Sequence, residues 1–366
     1  DYTLAENICI PHHDISVLPN GNILAICSET KTQEEAVNAG KESINGPFTL
    51  DMIIELEPIG DNEANIVWKW HFWDHLIQDI NPDYDNYGII SDNPQLLDIN
   101  CNSSGGGGGN PGVGDWNHLN CISYNELLDQ IVISSRHMNE FYVIDHSTTI
   151  EEAASSSGGL YGIGGDFLYR WGNPQNYNRG NNSDQILFAQ HSVNWINQGY
   201  PGEGNFILFN NNHSLNNSAV LEIIPPINED GIYFIDDSSF GPLTYTWMFQ
   251  DNFYSNTQSG AFRLENGNTI ITSAADHQIL EVSMIGEIEW EYEGNENTVR
   301  ALKYSYDYFQ DSVLGDLNND AVINILDVIM MINMILDLVE LMENADLNND
   351  SIIDILDIVL LINLIL

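Results

Sequence analysis

The sequence predicts an all-β domain, a six-bladed β-propeller, followed by a small α-helical domain built from a duplicated acidic segment. Three repeats carry this prediction: a two-strand hairpin, an aromatic strand that closes each hairpin-containing segment, and an acidic motif that recurs near the end of the chain. We place the boundary after residue 310, so that the domains span residues 1–310 and 311–366.

The hairpin unit is clearest near both ends of the first domain. Asn20-Gly21 and Asn266-Gly267 each stand between two apolar runs, which is a strong signal for a β-hairpin. Two looser copies lie between them. The four pairs of runs are 15–18 with 23–27, 121–124 with 130–134, 191–195 with 205–209, and 261–264 with 269–272.

Each hairpin is followed, later in its segment, by a strand-like run with paired aromatic residues. These runs are 66–70, 167–171, 244–249 and 288–292. A hairpin, a third strand and an aromatic outer strand would make one four-stranded blade, and at about 40 to 50 residues a blade the domain has room for six or seven. The alternative is a β-sandwich with scattered strands.

The charge balance excludes two classes of partner. Nine Lys and Arg against 54 Asp and Glu give a formal net charge of −45, so a nucleic acid or an anionic membrane would be repelled. No apolar run approaches the roughly 18 residues that cross a bilayer, and no basic and apolar leader opens the chain. We therefore expect a mature, soluble protein with no membrane span.

The four cysteines show neither Cys-x-x-Cys spacing nor an adjacent histidine cluster, which disfavours a zinc site. In an extracellular chain, Cys9 could pair with Cys27 and Cys101 with Cys121. Buried free thiols are the equal alternative.

An acidic loop near the end of the chain occurs twice, starting at Asp316 and again at Asp346. Oxygen donors at positions 1, 3, 5, 9 and 12, with a main-chain carbonyl at position 7, form the ligand set of a roughly seven-coordinate calcium ion. We therefore predict two Ca²⁺ sites. Their ligands are Asp316, Asn318, Asp320, Val322, Asn324 and Asp327 in the first loop, and Asp346, Asn348, Asp350, Ile352, Asp354 and Asp357 in the second.

Histidines and one of the scarce arginines lie at the ends of predicted hairpin strands. The segments are His12-His13-Asp14, 115–120, 134–137 and Gln190-His191. Strand ends of separate blades meet near the axis of a propeller, so these side chains could converge on one anion. A single histidine of this kind is more often structural, and it is their joint position that favours a site.

These segments resemble the arylsulfotransferases, the bacterial aryl-sulfate sulfotransferases that work without the cofactor PAPS. The resemblance rests on Asp115-Trp-Asn-His-Leu-Asn120, Arg136-His137 and Phe188-Ala-Gln-His191, and covers roughly residues 12–292. It implies a six-bladed propeller with the active site in its central channel, and a reaction that needs no PAPS.

The same resemblance implies roles for six residues. His191 would be the nucleophile that takes a sulfuryl group from an aryl sulfate donor, and the resulting sulfohistidine would pass it to a phenolic acceptor with ping-pong kinetics. The other candidates, which would bind the sulfuryl oxygens or stabilise developing charge, are His118, Asn120, Arg136, His13 and Thr257.

The duplicated segment resembles a type I dockerin from about residue 314 to residue 366. It departs from a standard EF-hand by Asp at position 12 and by Ala321 and Ser351 where glycine is usual. The resemblance implies that the segment folds on Ca²⁺ and docks onto a cohesin-like module or a neighbouring subunit. Its nearly apolar helices would either meet that partner or pack against each other.

The leading interpretation is a secreted bacterial aryl-sulfate sulfotransferase, extracellular or at the cell surface, that is tethered through a calcium-dependent dockerin. The alternative is a non-catalytic propeller that serves as a structural or binding subunit of an extracellular assembly. A sulfate-ester hydrolase is disfavoured because the sequence has no sulfatase nucleophile motif.

Overall fold

A computed structural model describes residues 9–60, 63–101, 114–235, 238–304, 314–318, 322–336, 338–339, 341–350 and 352–366. The chain divides into two compact units, Asp1–Leu302 and Lys303–Leu366, called the first and second unit below. Among the described helices, none combines the length and the apolar content needed to cross a membrane.

The first unit is mostly β. Its strands are β1 (Ile10–Val17), β2 (Ile23–Lys31), β3 (Phe48–Ile59), β4 (Glu63–His71), β5 (Leu76–Ile77), β6 (Leu97–Asp98), β7 (Gly114–Asp115), β8 (Leu119–Asn125), β9 (Gln130–Ser135), β10 (Glu140–Asp145), β11 (Tyr169–Trp171), β12 (His191–Trp195), β13 (Phe206–Ser214), β14 (Asn217–Ile223), β15 (Trp247–Phe249), β16 (Gly260–Arg263), β17 (Thr269–Ser273), β18 (Gln278–Val282) and β19 (Ile288–Glu293). Two short helices, α1 (Gln33–Asn38) and α2 (Ile150–Ala153), lie between strands.

The described strands form four antiparallel sheets in chain order. Sheet 1 is β1-β2-β3-β4, sheet 2 is β8-β9-β10-β11, sheet 3 is β12-β13-β14-β15 and sheet 4 is β16-β17-β18-β19. In addition, β7 pairs in parallel with β3, and β5 pairs with β6. The first strands of the sheets are neighbours, since β8 contacts both β1 and β12, and β12 also contacts β16.

The predicted repeat is confirmed. Each of the four predicted hairpins forms the first two strands of one sheet. Each aromatic run overlaps the fourth strand of one sheet, although β11 and β15 cover only the last three residues of their runs. At the two Asn-Gly turns, Gly21 and Gly267 have φ of 85° and 88°, a conformation that only glycine adopts without cost. Six blades and a closed ring stay predictions.

Successive sheets pack face to face, so both faces of the middle sheets are buried. In β9, Ile131 and Ile133 belong to the core shared with sheet 1, whereas Val132 belongs to the core shared with sheet 3. In β13, Leu208 faces sheet 2 and Ile207 faces sheet 4. Alternate residues of one strand thus fill two cores, which explains why these strands are apolar throughout.

The cysteine prediction is half right. Cys9 and Cys27 form a disulfide. Cys101 and Cys121 are not paired, because their buried thiols face different neighbours. Cys101 Sγ lies 3.5 Å from Met138 Sδ, and Cys121 Sγ donates to the main-chain oxygen of Val193 in the adjacent sheet at 3.1 Å. The free-thiol alternative is correct for this pair.

A half-buried histidine joins sheets 1 and 2. His146 Nδ1 lies 2.7 Å from Asp129 Oδ1, and His146 Nε2 lies 2.9 Å from Glu55 Oε2, which belongs to β3. Burial lowers the pKa of His146, but the two carboxylates outweigh this effect and raise the pKa to about 9. The imidazolium therefore stabilises the folded chain below pH 6.5, and its contribution is lost as the pH rises through about 9.

We expect His146→Gln to lower the free energy of unfolding by roughly 3 kcal/mol near pH 6, because it leaves two partly buried carboxylates without their cation. The difference between wild type and variant should shrink above pH 9, where the wild-type histidine is neutral as well. Thermal melts of both proteins across this pH range test the prediction. A difference that is constant with pH would show that His146 acts by packing alone.

The second unit contains two helices, α3 (Ile325–Ile335) and α4 (Ile355–Ile365). Asn324 and Asp354 cap their first turns, and the Asp at position 12 of each loop, Asp327 or Asp357, completes a capping box. The helices pack against each other, as one alternative expected. The buried core consists of Leu317, Val328, Met331, Met334, Ala345, Ile358 and Leu361.

Packing between α3 and α4 leaves a large apolar surface exposed. Ile325 and its counterpart Ile355 are 62% and 63% exposed, and Ile329 and its counterpart Val359 are 49% and 51% exposed. Packing of the helices against each other is therefore compatible with contact to a partner. One face of each helix forms the core of the unit, and an equivalent pair of faces is open to a partner.

Candidate active site

One backbone feature recurs where the first strand of each sheet begins. His13 in β1, His118 directly before β8, Ser192 in β12 and Ser259 directly before β16 have φ of 60°, 50°, 54° and 83°. A positive φ is uncommon outside glycine and is often found at functional sites. In three of the four strands the pairing register also shifts at this point. The repeat thus turns polar side chains from four neighbouring strands toward one place.

That place is a cavity of about 550 Å³. All six residues predicted to be catalytic line it, although they come from strands of three sheets and from connections between strands. The lining consists of His13, Asp14, Asp115, His118, Asn120, Arg136, His137, His191, Ser192, Thr257, Gln258, Ser259, Val299 and Arg300. Two of the nine Lys and Arg residues of this acidic chain therefore lie here.

The hydrogen bonds of His191 define its tautomer. Nδ1 lies 2.7 Å from Asn211 Oδ1 and 3.0 Å from the main-chain oxygen of Ala189, and both atoms are acceptors. The Asn211 amide cannot be reversed, because its Nδ2 donates to the main-chain oxygens of Ser255 and Gln258. Nδ1 must therefore carry the ring proton. Nε2 is unprotonated, and its lone pair accepts from the Gln258 N–H at 3.2 Å.

His191 is suited to act as a neutral nucleophile. Burial is the main reason why the pKa of its imidazole is lowered to about 4. The nearby charge of Arg136 lowers this pKa further, whereas the two hydrogen bonds at Nδ1 raise it. At neutral pH the ring is therefore unprotonated at Nε2. A neutral imidazole nitrogen with a fixed orientation is a competent nucleophile toward an electron-poor centre such as a sulfate sulfur.

His118 is oriented by a carboxylate. Its Nδ1 pairs with Asp115 Oδ2 in a very short contact, which leaves Nε2 available for proton transfer, as in other Asp–His pairs. Burial raises the pKa of Asp115, but the hydrogen bond and charge of His118 outweigh it, so the carboxyl has a lowered pKa and stays ionised. The arrangement lets His118 give and take a proton.

His137 supports His118 from the other side. The two rings stack at 4.6 Å, and His137 Nδ1 lies 3.0 Å from the main-chain oxygen of Asp115. Burial and the neighbouring His118 lower the pKa of His137. The three residues also present a carboxylate oxygen and two ring nitrogens within 4.8 Å of one another, a donor set that could hold a metal ion.

His13 is the last of three residues, Asp51, His12 and His13, that are linked by hydrogen bonds. Asp51 Oδ1 lies 2.9 Å from His12 Nε2, and His12 Nδ1 lies 2.7 Å from His13 Nδ1. Burial lowers the pKa of His12, but its hydrogen bond to Asp51 outweighs this effect, so that the pKa is raised overall. For His13, burial and the neighbouring His118 lower the pKa to about 4. When His12 is protonated, it donates to Nδ1 of a neutral His13, which can then donate from Nε2.

Arg136 supplies positive charge to the cavity. Its Nη2 lies 3.4 Å from the main-chain oxygen of Asn256, so the guanidinium is held beside the loop that carries Thr257. Burial lowers the pKa of Arg136 and Asp115 partly restores it, but an arginine stays protonated at neutral pH. The other cation, Arg300, is already committed to a two-point ion pair with Asp14.

Two predicted residues have surroundings that the sequence did not indicate. Asn120, expected to donate its amide to the sulfuryl group, instead donates Nδ2 to the main-chain oxygen of Gln190 at 2.7 Å. Its buried Oδ1 has no partner among the described residues. Thr257 is exposed at the cavity mouth, and its main-chain oxygen accepts from Ser255 and Ser259. Asn120 can thus offer a ligand its second amide hydrogen and its Oδ1, and Thr257 can offer its hydroxyl.

The sequence alone does not place Asn211 or Arg300 in the site, and it includes Asp115 in the motif 115–120 without indicating its role. Asn211 lies in β13, twenty residues after His191, and its signal is the polar run 210–212 at the end of an apolar strand. Asp115 stands three residues before His118, and its role depends on a turn that brings both side chains together. Arg300 reaches Asp14 across 286 residues, a separation that local patterns cannot reveal.

The two acidic loops of the second unit offer oxygen donors only, which suits a hard cation such as calcium. In the second loop, the Asp346 and Asn348 side-chain oxygens both lie within hydrogen-bond distance of the Asp350 main-chain nitrogen, so positions 1 and 3 curl around position 5. In both loops the Asp at position 12 is fully buried and accepts main-chain N–H groups of its own loop. Asp320 lies outside the described residues.

A catalytic cavity with a histidine nucleophile and anion-binding side chains is what a group-transfer enzyme acting on an anionic ester requires. The model of the arylsulfotransferase family matches residues 1–310. The chain belongs to this family. The model of the type I dockerin domain matches residues 314–366, which confirms both resemblances seen in the sequence. No curated protein matches the chain.

Similar solved structures are distant. A Bacteroides caccae protein of unknown function is 10% identical (TM-score 0.29) over 50% of this chain and 48% of its own. An inactive virginiamycin B lyase from Staphylococcus aureus is 12% identical (TM-score 0.31) over 79% and 72%, and the Cps50 β-propeller domain of Myceliophteria thermophila is 10% identical (TM-score 0.36) over 77% and 73%. The chain thus spans about half the length of the first of these, and with TM-scores this low the likenesses carry no argument.

Proposed function

We propose that the first unit transfers a sulfuryl group from an aryl sulfate ester to a phenolic acceptor, through a sulfohistidine formed at Nε2 of His191. The observation that carries this proposal is the fixed tautomer of His191, whose unprotonated Nε2 lies in a cavity lined by two arginines and three further histidines. The Nε2 lone pair accepts from the Gln258 N–H, and this hydrogen bond breaks when Nε2 attacks. The donor is the aryl sulfate itself, so the reaction uses no PAPS.

In the first half-reaction, His191 Nε2 attacks sulfur while the bond between sulfur and the phenolic oxygen breaks. Sulfuryl transfer resembles phosphoryl transfer, in which positioning and charge on the equatorial oxygens account for most of the catalysis. Arg136 and the Nε2–H of His13 bind those oxygens. Protonated His118 gives its Nε2 proton to the departing phenolate.

In the second half-reaction the same groups work in reverse. The acceptor hydroxyl gives its proton to His118, now neutral, as its oxygen attacks sulfur and the bond to His191 breaks. Asp115 keeps the His118 ring in one orientation through both steps. Because donor and acceptor use one site in turn, the mechanism is ping-pong.

The fold that we propose for the first unit is a six-bladed propeller with this cavity in its central channel. Four consecutive four-stranded sheets with neighbouring first strands support it. The positive-φ residues that open those strands all line the same cavity, as expected for strands arranged around an axis.

For the second unit we propose two Ca²⁺ sites and docking onto a cohesin-like module outside the cell. Type I dockerins bind calcium and cohesins as a class, and the exposed pair of apolar helix faces is a suitable contact surface. The Cys9–Cys27 disulfide supports an extracellular, and hence secreted, protein. A role in an assembly is compatible with catalysis by the first unit.

Rapid mixing with 4-nitrophenyl sulfate in the absence of acceptor tests the covalent step. We expect a burst of 4-nitrophenolate that approaches one per chain, followed by slow turnover that speeds up when phenol is added. Initial rates at several donor and acceptor concentrations should give parallel double-reciprocal lines. Intersecting lines without a burst would indicate direct transfer in a ternary complex and would contradict the sulfohistidine.

A further inference from the structure

A second cavity, of about 760 Å³, adjoins the catalytic one and is not used by the proposed chemistry. Ten of its sixteen lining residues are Asn or Gln. Pockets for small aromatic ligands are mostly apolar. Among the described lining residues here, Phe188 and Tyr254 are the only aromatic ones, and Arg136 and Asp98 are the only charged ones. We call it the amide cavity.

One wall of the amide cavity is held rigidly from behind. Asn176 donates to the main-chain oxygen of Met138 at 2.9 Å and to Glu140 Oε2 at 2.8 Å, and Glu140 is paired with the fully buried Arg170. Asn173 donates to Asn176 and accepts from Gln175. These amides keep fixed directions, so they form a preorganised polar surface.

Other amides of the cavity keep their hydrogen-bonding capacity for a ligand. The side chains of Asn182 and Asn256 make no hydrogen bond to any described part of the chain, and both residues are exposed. The Asn212 amide uses its oxygen to accept from the Tyr254 hydroxyl at 2.9 Å. A primary amide both donates and accepts, as a hydroxyl does.

The amide cavity meets the catalytic cavity at Arg136, which lines both. One loop contributes to both cavities, because Asn256 lines the amide cavity and the next residue, Thr257, lines the catalytic cavity. A molecule in the amide cavity can therefore present one of its groups to the sulfuryl site beside Arg136.

We infer that the amide cavity binds a carbohydrate, and that a sugar hydroxyl is an acceptor of the sulfuryl group. This inference rests on the proposed function. A sugar carries several hydroxyls that match a surface of amides, and its ring can pack on Phe188 or Tyr254. Among the described residues that line the catalytic cavity, Val299 is the one apolar residue.

The transfer step balances without a further reactant. The sugar oxygen forms a bond to sulfur as the bond between sulfur and His191 Nε2 breaks, and the hydroxyl proton passes to Nε2 of neutral His118. The products are a sugar sulfate and neutral His191. The aryl sulfate donor supplies the group and releases a phenol, which is a better leaving group than a sugar alkoxide, so transfer in this direction is favourable.

The test uses the full chain, 4-nitrophenyl sulfate as donor and, in separate reactions, phenol or a panel of glucose, galactose, xylose and cellobiose as acceptor. Mass spectrometry of the products detects a sulfated sugar. We expect the double variant Asn182→Ala/Asn256→Ala to lower the ratio of sugar to phenol transfer about tenfold or more. Asn252→Ala removes an exposed amide outside both cavities and should leave the ratio unchanged.

The possible outcomes separate the two proposals. If phenol is sulfated and no sugar is, the carbohydrate inference fails and the proposed function stands. If sugars are sulfated but the double variant keeps the wild-type ratio, the amide cavity is not where they bind and the inference is again wrong. If the donor releases no 4-nitrophenolate at all, the proposed function itself fails.

Discussion

His191→Ala is expected to lower the rate of sulfuryl transfer by roughly 10³-fold or more, because it removes the nitrogen that forms the proposed sulfohistidine. The loss should appear in the first half-reaction, as the absence of a phenol burst. The measurement is single-turnover release of 4-nitrophenolate by wild type and variant at equal concentration.

Two controls separate chemistry from folding. His213→Ala removes a half-buried histidine outside the cavity and should retain the burst. His191→Gly in the presence of added imidazole should recover part of the activity, since the free base can occupy the vacated position. A His191→Ala protein that melts like wild type yet transfers sulfuryl groups at the wild-type rate would rule out the proposed nucleophile.

Calcium removal is expected to unfold the second unit and to spare the first. The second loop alone places Asp346, Asp350, Asp354 and Asp357 within twelve positions, and without a cation their mutual repulsion opposes the fold. Limited proteolysis of the full chain in EGTA should therefore degrade residues 303–366 and leave a fragment of the first unit. In calcium the whole chain should resist, and calorimetry should count two ions per chain.

A single substitution in one loop should remove one of the two bound calcium ions. Asp346→Ala removes position 1 of the second loop and should reduce the count to one ion, whereas Asp74→Ala, an exposed acid of the first unit, should keep two. Equal protease resistance of residues 303–366 in calcium and in EGTA would contradict calcium-dependent folding.

The local part of the fold could be predicted because its signals are local. Asn20-Gly21 and Asn266-Gly267 require the turn that makes a hairpin, and the aromatic run around Trp68 has the composition of an outer strand. The residues at positions 9 and 12 of the acidic loops likewise predict that a helix follows. In the first loop these residues, Asn324 and Asp327, form the capping box of that helix.

What the sequence could not supply was the set of contacts between distant segments. Arg300 beside Asp14, Asn211 beside His191 and the amide wall around Glu140 depend on how sheets pack, and no spacing encodes that packing. The pairing of Cys101 with Cys121 was wrong for the same reason. The Cys121 thiol faces Val193 of the next sheet, a direction set by the strand register.

The most direct test of the central claim is the location of the sulfuryl group on the protein. The full chain is mixed with 4-nitrophenyl sulfate without acceptor, quenched in mildly alkaline urea, digested and mapped by mass spectrometry. We predict one sulfuryl group per chain on the peptide that contains His191, lost when phenol is added before the quench. A chain that releases 4-nitrophenolate in a burst but carries the group on another residue, or on none, would contradict the account.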